Sequence, residues 1–218
     1  MNDLYGKQHL NIQQQFDSEA LAQRVSDSIV ETQINDEHRA FIESRDMFFL
    51  STVDHRGYPT CSYKGGHRGF VKIIDNKTIA FPSFNGNGMF LSMGNISASN
   101  KVGMLFIDFE TPHRVRVHGT ATVSKDDALL SEYNEAELIV RVTISEMFVN
   151  CPRYIHRYQR VEDSHYVPQA GCCPPLPQWK RIDALQDVIS TQDQQAVRDQ
   201  GGPITPEQYG ELLKKGKG

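Results

Sequence analysis

The sequence predicts a mainly β fold (β+α), in which an antiparallel Greek-key β-barrel is flanked by helices. Short strand-like runs follow one another at hairpin spacing between residues 47 and 148. Residues 113–123 alternate between polar side chains and four apolar ones, which is typical of a half-buried strand: Val115, Val117, Ala121 and Val123. One crossover helix interrupts the series of strands, and this arrangement favours a barrel over a parallel sheet.

Residues 1–45 are predicted to form a helical arm. The first sixteen residues are polar and rich in Asn and Gln, so we expect a loosely held segment. Apolar residues then recur at helical spacing and predict a helix from Ser18: Leu21, Val25 and Ile29. A second short helix is predicted over residues 36–44, with Asn35 as its N-cap. These helices are too small to fold alone and should lie against the barrel.

Residues 46–168 are predicted to form the barrel. Its first strand is almost wholly apolar, so it is expected to be buried on both faces. Two helices are expected between later strands, one from near Asn87 to near Ser99 and one over residues 125–134. The predicted strands span residues 47–53, 58–63, 70–74, 78–83, 101–109, 113–123 and 138–148.

Residues 169–218 are predicted to contain a linker, a helix and a tail. The linker is irregular and rich in Pro and Cys. The helix is expected over residues 179–189. The remaining residues are polar and are expected to extend over a partner or to fray.

Composition excludes some classes of function. The chain has 218 residues and a formal charge of −4, with 23 basic and 27 acidic residues mixed along it. A nucleic-acid binder should show a basic excess, so no nucleic-acid partner is expected. No apolar run approaches the ~20 residues that a membrane-spanning helix needs. The N-terminus lacks the pattern of a secretory signal, and we expect a cytoplasmic protein with no membrane partner.

Two glycine-rich segments suggest a site for an anion. Residues 64–69 (KGGHRG) combine glycines, whose backbone N–H groups can approach a ligand closely, with basic side chains. Residues 85–88 (NGNG) precede a predicted helix, and free N–H groups at a helix start favour a phosphate. Each segment alone is more often an ordinary turn. Together, and followed by an arginine-bearing strand, they indicate a phosphate-bearing ligand.

The order of these motifs resembles that of the pyridoxamine 5'-phosphate oxidase-like flavoproteins. The resemblance covers about residues 35–155, and the combination of motifs is more specific than any single one. The matching segments are Ser51–Asp54, Gly57 with Pro59, Lys64–Val71, Phe81–Pro82, Gly86–Asn87, Asn95–Ile96, Val102–Phe106 and Arg116–Gly119.

The resemblance implies a split β-barrel homodimer that holds FMN in a groove between subunits. It places the isoalloxazine ring along β-strand residues Ser62, Tyr63, Lys64, Gly65 and Gly66. It places the ribityl phosphate near Pro82, Ser83, Asn87, Gly88 and Met89. It also implies a flavin contact from Arg114 or Arg116, and a role for Arg153 at an anionic group of the cofactor or substrate.

The chain departs from the oxidase itself at the helix start. The oxidase carries an Arg-Lys pair that grips the phosphate, whereas this chain has Gly88 and Met89. Losing two charge-assisted contacts, each worth ~1.5–3 kcal/mol, would weaken phosphate binding unless other cations compensate. The candidates are Lys64, Arg68 and Arg114. The oxidase's C-terminal substrate motif is also not evident, so pyridoxamine 5'-phosphate is not the expected substrate.

The leading hypothesis is an FMN-dependent oxidoreductase that acts on an unknown small molecule. One alternative is a reductase that uses a deazaflavin in place of FMN. Another is a non-catalytic flavin- or haem-binding protein, for which His113, His118 and His156 are the available axial ligands. No catalytic acid or base is assigned, because flavin chemistry passes through the ring. No metal is expected either, since Cys151, His156, His165, Cys172 and Cys173 lack the spacing of a metal site.

Overall fold

A seven-stranded antiparallel sheet organises the chain in the computed structural model, which describes residues 4–169, 171 and 174–217. The strand order is β2-β1-β5-β6-β7-β4-β3, so β2 and β3, which are consecutive in sequence, lie at opposite edges. This split antiparallel barrel confirms the predicted fold class. The strands are β1 (Met47–Val53), β2 (Pro59–Gly65), β3 (Lys72–Ile73), β4 (Thr78–Phe84), β5 (Lys101–Asp108), β6 (His113–Ser124) and β7 (Ala136–Val149).

The arm contains three helices rather than two. They are α1 (Lys7–Gln15), α2 (Glu19–Ile29) and α3 (Asp36–Glu43). The loosely held segment expected before Ser18 is therefore helical, although α1 buries none of its side chains. The predicted α3 is confirmed, and its cap is Asn35, whose side chain accepts a hydrogen bond of 2.8 Å from the His38 N–H.

The core lies between α3, α4 (Leu91–Ser99) and one face of the sheet. Phe48 is fully buried at its centre. Its ring centroid lies 5.9, 5.0 and 5.1 Å from those of Phe70, Phe81 and Phe106. From α3, Ile42 adds a fully buried side chain to the same core.

The expectation that β1 is buried on both faces is wrong for this chain. Its burial alternates, with Phe48, Leu50 and Thr52 inside and Val53 41% exposed. The reason is the antiparallel register with β2 and β5, which gives the strand one core face and one outer face. Apolar residues on the outer face hid this alternation in the sequence.

A β-bulge in β7 keeps β6 and β7 paired on both sides of Gly119. The register shifts between His118 and Gly119, and the β7 backbone approaches Gly119 closely at this point. A Cβ at Gly119 would stand 2.5 Å from the carbonyl oxygen of Thr143 and 2.8 Å from Cγ1 of Val142. Only glycine fits at position 119 without movement of the β7 backbone.

Replacing Gly119 with alanine is therefore expected to lower the free energy of unfolding by about 1–3 kcal/mol, the usual cost of overpacking a core. Chemical denaturation monitored by circular dichroism measures the change. The matched control is Gly94→Ala, since an added Cβ there meets nothing within 4 Å. Because Gly94 lies inside a helix, the free energy of unfolding of the Gly94→Ala control should rise by about 0.5–1 kcal/mol. Equal stability of the two variants would contradict the close approach of the β7 backbone to Gly119.

The β1–β2 turn is held by the carboxylate of Asp54. It accepts hydrogen bonds from the backbone N–H groups of Arg56 and Tyr58, both at 2.9 Å. The Arg56 guanidinium adds contacts of 2.9 and 2.7 Å. The side-chain hydrogen bond from Arg56, supported by the two backbone N–H groups, lowers the pKa of Asp54.

A lowered carboxyl pKa makes the stability of the fold depend on pH. The contribution of Asp54 should be fully present above its unfolded pKa of about 3.9 and be lost as the pH falls through its lower folded pKa. We expect Asp54→Asn to remove that part of the acid-induced loss of stability, while the exposed Asp126→Asn keeps it. Urea melts at several pH values below 5 would test this, and identical acid slopes in both variants would count against it.

The predicted helix over residues 125–134 is wrong in type and length. The chain instead forms a short 3-10 helix at Ala128–Glu132. Asp127 precedes it and accepts a hydrogen bond of 3.0 Å from the Leu129 N–H. The same carboxylate pairs with Arg141 of β7 at 2.6 Å, which fixes the segment against the sheet.

The contacts divide the chain into two units, and the second runs from Glu162 to Gly218. The helix predicted over residues 179–189 is replaced by two short 3-10 helices, Gln178–Arg181 and Asp183–Leu185. Ile182 separates them because its ψ of 127° is incompatible with a helix.

The tail expected to extend or fray forms two helices instead, α5 (Thr191–Asp199) and α6 (Pro206–Lys214). A capping box with Thr205, followed by Pro206 in the first turn, starts α6. Within this unit Lys180 pairs with Asp193 at 2.9 Å. In the part of the chain that the structure describes, no helix has the length and apolar character that crossing a bilayer requires.

Candidate functional site

A cavity of about 340 Å³ lies between the end of β2, the end of β4 and the start of α4. Its size falls within the ~300–1,000 Å³ typical of small-molecule and cofactor sites. Both polar and apolar side chains line it. It is lined by Ser62, Tyr63, Lys64, Ser83, Phe84, Gly86, Asn87, Gly88, Met89, Phe90, Leu91, Ser92 and Met93.

Helix α4 is fixed against the β1–β2 hairpin by a small polar network. The buried amide of Asn95 donates to the Thr52 hydroxyl at 3.0 Å and to the Thr60 hydroxyl at 3.4 Å. The two threonine hydroxyls lie 2.7 Å apart. At the cavity itself, the hydroxyls of Ser62 and Ser92 are 3.0 Å apart. These contacts set the distance between β2 and the helix start, and thus the width of the cavity.

The start of α4 brings the backbone N–H groups of its first turn to the cavity, which Leu91, Ser92 and Met93 line. The helix begins at Leu91 rather than near the predicted Asn87. Its N-cap residue, Phe90, makes no side-chain capping hydrogen bond, and the first turn has no acidic side chain. Free N–H groups at an uncapped helix start, together with the helix dipole, favour an anion.

Phe90 also has an unusual backbone. Its φ of 46° puts a bulky aromatic residue in the left-handed region, where it costs free energy of order 1–3 kcal/mol. The preceding Gly88 has a φ of 75°, and the Asn87 side chain accepts a hydrogen bond of 3.1 Å from the Met89 N–H. This strained turn brings the helix start to face Lys64 across the cavity.

Lys64 is the basic side chain that lines the cavity. Among the described residues, its ammonium group has no hydrogen-bond or ion-pair partner. Burial lowers the pKa of Lys64 below its ordinary value. An unpaired, half-buried cation beside free backbone N–H groups is suited to hold a phosphate group.

The structure brings together seven of the residues that the sequence predicted for the cofactor. They come from both glycine-rich segments and from the end of β4: Ser62, Tyr63, Lys64, Ser83, Asn87, Gly88 and Met89.

Three other predicted residues lie beside the cavity but do not line it. Gly65 and Gly66 let aromatic rings approach, since an added Cβ would stand 2.7 Å from the Tyr63 ring and 2.5 Å from the Phe70 ring, respectively. Pro82 is buried in β4. These residues therefore shape the walls through packing.

The predicted arginines lie elsewhere. Arg114 and Arg116 are on the central strand β6, and Arg153 is exposed beyond β7. Arg68 is exposed as well, so of the three cations that could replace the missing Arg-Lys pair, Lys64 alone lines the cavity.

Sequence reasoning missed six lining residues, namely Phe84, Gly86, Phe90, Leu91, Ser92 and Met93. Gly86 belongs to the glycine-rich segment itself. A β-bulge between Ser83 and Phe84 redirects Phe84, and no local sequence signal marked it. The helix start was predicted four residues too early, at Asn87 instead of Leu91. The other four residues were missed for this reason.

The histidines and cysteines do not form a second site at the cavity. His113 packs edge-on against Phe41 with centroids 4.6 Å apart, and Nδ1 of His118 lies 2.8 Å from Glu146. Cys61 and Cys151 are exposed free thiols, while Cys172 and Cys173 lie outside the described residues. Over residues 4–169, 171 and 174–217, no group of three or more His, Cys, Asp or Glu side chains could hold a metal ion.

The comparison with known families agrees with the motif order. A family model described as pyridoxamine 5'-phosphate oxidase matches residues 34–156, which is more than half of the 218 residues. The chain therefore belongs to the pyridoxamine 5'-phosphate oxidase-like family of split barrels. No curated protein sequence matches the chain.

Several solved structures resemble this chain in fold. A proposed pyridoxamine 5'-phosphate oxidase from Lactobacillus delbrueckii is 23% identical, with a TM-score of 0.45 over 54% of this chain and 95% of that one. HupZ of Group A Streptococcus is 19% identical, with a TM-score of 0.44 over 53% and 93%. An F420 reductase is 17% identical, with a TM-score of 0.41 over 52% and 98%.

Proposed function

We propose that this protein is an FMN-dependent oxidoreductase that acts as a homodimer on a small organic molecule. The observation that carries the proposal is the cavity where the unpaired Lys64 ammonium faces the uncapped start of α4. Both groups are chemically suited to a phosphate. The mixed polar and apolar lining suits a flavin, which has an apolar ring and a hydroxylated chain.

In this proposal Lys64 and the first N–H groups of α4 hold the phosphate. Ser62 and Ser92 offer hydroxyls to the cofactor's polar groups, and Tyr63 and Met93 supply apolar surface. Bound FMN would supply the redox chemistry through its ring. The chain's own task is then to bind the cofactor and the substrate and to orient them.

A titration with FMN and riboflavin tests this proposal. The two ligands differ only in the phosphate, so the ratio of their dissociation constants isolates the phosphate site. We expect FMN to bind once per chain and roughly 10–100-fold more tightly than riboflavin. Equal affinities would contradict the phosphate assignment, and no binding of either ligand would contradict the flavin proposal.

A deazaflavin is the second candidate cofactor. The observation that favours it is the turn before α4, where Gly88 and Met89 are exposed and carry no charge. A longer tail with a different charge distribution could be accommodated there. Tighter binding of a deazaflavin than of FMN in the same titration would select this alternative.

Catalysis and assembly need separate measurements. Bleaching of the bound flavin by a nicotinamide donor is expected of an oxidoreductase, whereas lack of reduction by NADH and NADPH would favour a flavin-binding protein without turnover. Sedimentation at micromolar concentration is expected to show a dimer. A monomer with full FMN affinity would contradict the proposed groove between subunits.

A further inference from the structure

The turn before α4 contains two Asn-Gly pairs, Asn85 with Gly86 and Asn87 with Gly88, and all four residues are exposed. Asparagine followed by glycine is open to deamidation, because glycine has no side chain to hinder attack by its own nitrogen on the preceding side-chain amide. Asn87 lines the cavity. A change of charge at this position would therefore act on a ligand bound there.

The side chain of Asn87 is arranged for this reaction. Its carbonyl oxygen accepts a hydrogen bond of 3.1 Å from the Met89 N–H. A donor at this oxygen polarises the carbonyl and stabilises the negative charge that develops on it during attack. The Gly88 N–H, which supplies the nucleophile, makes no hydrogen bond within the part of the chain that the structure describes. It can therefore lose its proton to water or hydroxide.

The side chain of Asn85 is held in a different way. Its amide group donates a hydrogen bond of 2.7 Å to Oε1 of Glu137. This contact restrains the side chain, and the charge of Glu137 opposes the negative charge that attack on the amide would create. The two pairs have the same sequence, so their surroundings decide which one reacts faster.

We propose that Asn87 is a site of spontaneous deamidation, and that the modified protein loses affinity for its phosphate-bearing ligand. The Gly88 nitrogen bonds to the side-chain carbonyl carbon of Asn87, and the amide nitrogen leaves as ammonia with the proton that the Gly88 nitrogen gives up. Water then opens the resulting succinimide and gives aspartate or isoaspartate at position 87. The new carboxylate repels a phosphate in the cavity and competes with it for the Lys64 ammonium. This effect on affinity rests on the proposed function, whereas the modification itself does not.

Peptide mapping by mass spectrometry, during incubation of the full chain at mildly alkaline pH, tests the modification. In the folded protein, aspartate and isoaspartate should form at position 87 roughly 3–10-fold faster than at position 85, the effect of about one hydrogen bond on a rate. In concentrated urea, where the surroundings are lost, the two rates should be similar. Glu137→Ala should raise the rate at position 85 toward that at position 87. The proposal is overturned if position 87 of the folded protein does not react, or reacts no faster than position 85.

Titrations with FMN and riboflavin test the effect on the cavity. Asn87→Asp should weaken FMN binding roughly 10-fold, because it adds a charge near the phosphate, and should change riboflavin binding much less. The matched control is Asn76→Asp, which adds the same charge at an exposed position before the other end of β4. It should keep FMN affinity within about twofold of the parent.

Bound FMN should also slow the reaction at position 87, because the ligand fills the cavity that Asn87 lines. Unchanged FMN affinity in Asn87→Asp would overturn the proposed loss of affinity. If FMN binds neither the parent nor the variants, the proposed function fails, while the ratio of the two deamidation rates still decides whether Asn87 is the modified residue.

Discussion

Replacing Phe48 with alanine is expected to lower the free energy of unfolding by about 3–5 kcal/mol. The ring is fully buried and packs against Phe70, Phe81 and Phe106, with centroids within 5.9 Å. Since these neighbours come from different segments, they cannot all move in to fill the space. The variant therefore loses both the transfer free energy of the ring and the contacts around the cavity it leaves.

Urea denaturation of the parent and variant proteins measures this loss. Phe16→Ala is the matched control, because that ring is 76% exposed. Its effect should stay within about 0.5 kcal/mol. A loss below about 1 kcal/mol for Phe48→Ala would mean that the aromatic cluster does not form the centre of the core.

Lys64→Met is expected to weaken FMN binding roughly 10–100-fold, the value of one charge-assisted hydrogen bond to a phosphate. Riboflavin affinity should change much less, because riboflavin has no phosphate. The thermal midpoint of the ligand-free protein should rise, since the variant removes an unpaired, half-buried charge. Lys125→Met, at an exposed position, should change none of the three quantities. Equal losses of FMN and riboflavin affinity would show that Lys64 does not contact the phosphate.

The lowered pKa of Lys64 also predicts how FMN affinity depends on pH. Burial disfavours the ammonium form in the ligand-free protein. As the pH rises through this lowered pKa, the proton is lost and the attraction to the phosphate goes with it. FMN affinity should therefore fall at a pH below that at which an ordinary lysine titrates, and Lys64→Met should lack this fall. The fold must be shown intact by circular dichroism over the same range.

The strand pattern and α3 were predictable because their signals are local. Alternation along β6, and the Asn35 cap before α3, depend on residues adjacent in sequence. The two helices of the tail were missed because their apolar residues are few, although the capping box at Thr205 was a usable signal. The 3-10 helix after Asp127 is paired to β7 through Arg141, which is distant in sequence, and that contact gives no local signal.

The candidate site was partly predictable for the same reason. The two glycine-rich segments are visible in the sequence, and the cavity contains residues from both. Their closeness depends on long-range contacts, such as that of Ser62 with Ser92 and that of Asn95 with Thr52. The left-handed conformation of Phe90 could not be predicted from the sequence either, because an aromatic residue rarely adopts it.

A crystal structure of the protein grown with FMN would show where the cofactor and its phosphate bind. We expect the phosphate within about 3 Å of the Lys64 ammonium and of the first backbone N–H groups of α4. We also expect the ring system to lie against β2. Density for FMN elsewhere, with Lys64 and the start of α4 making no contact to the phosphate, would contradict both expectations.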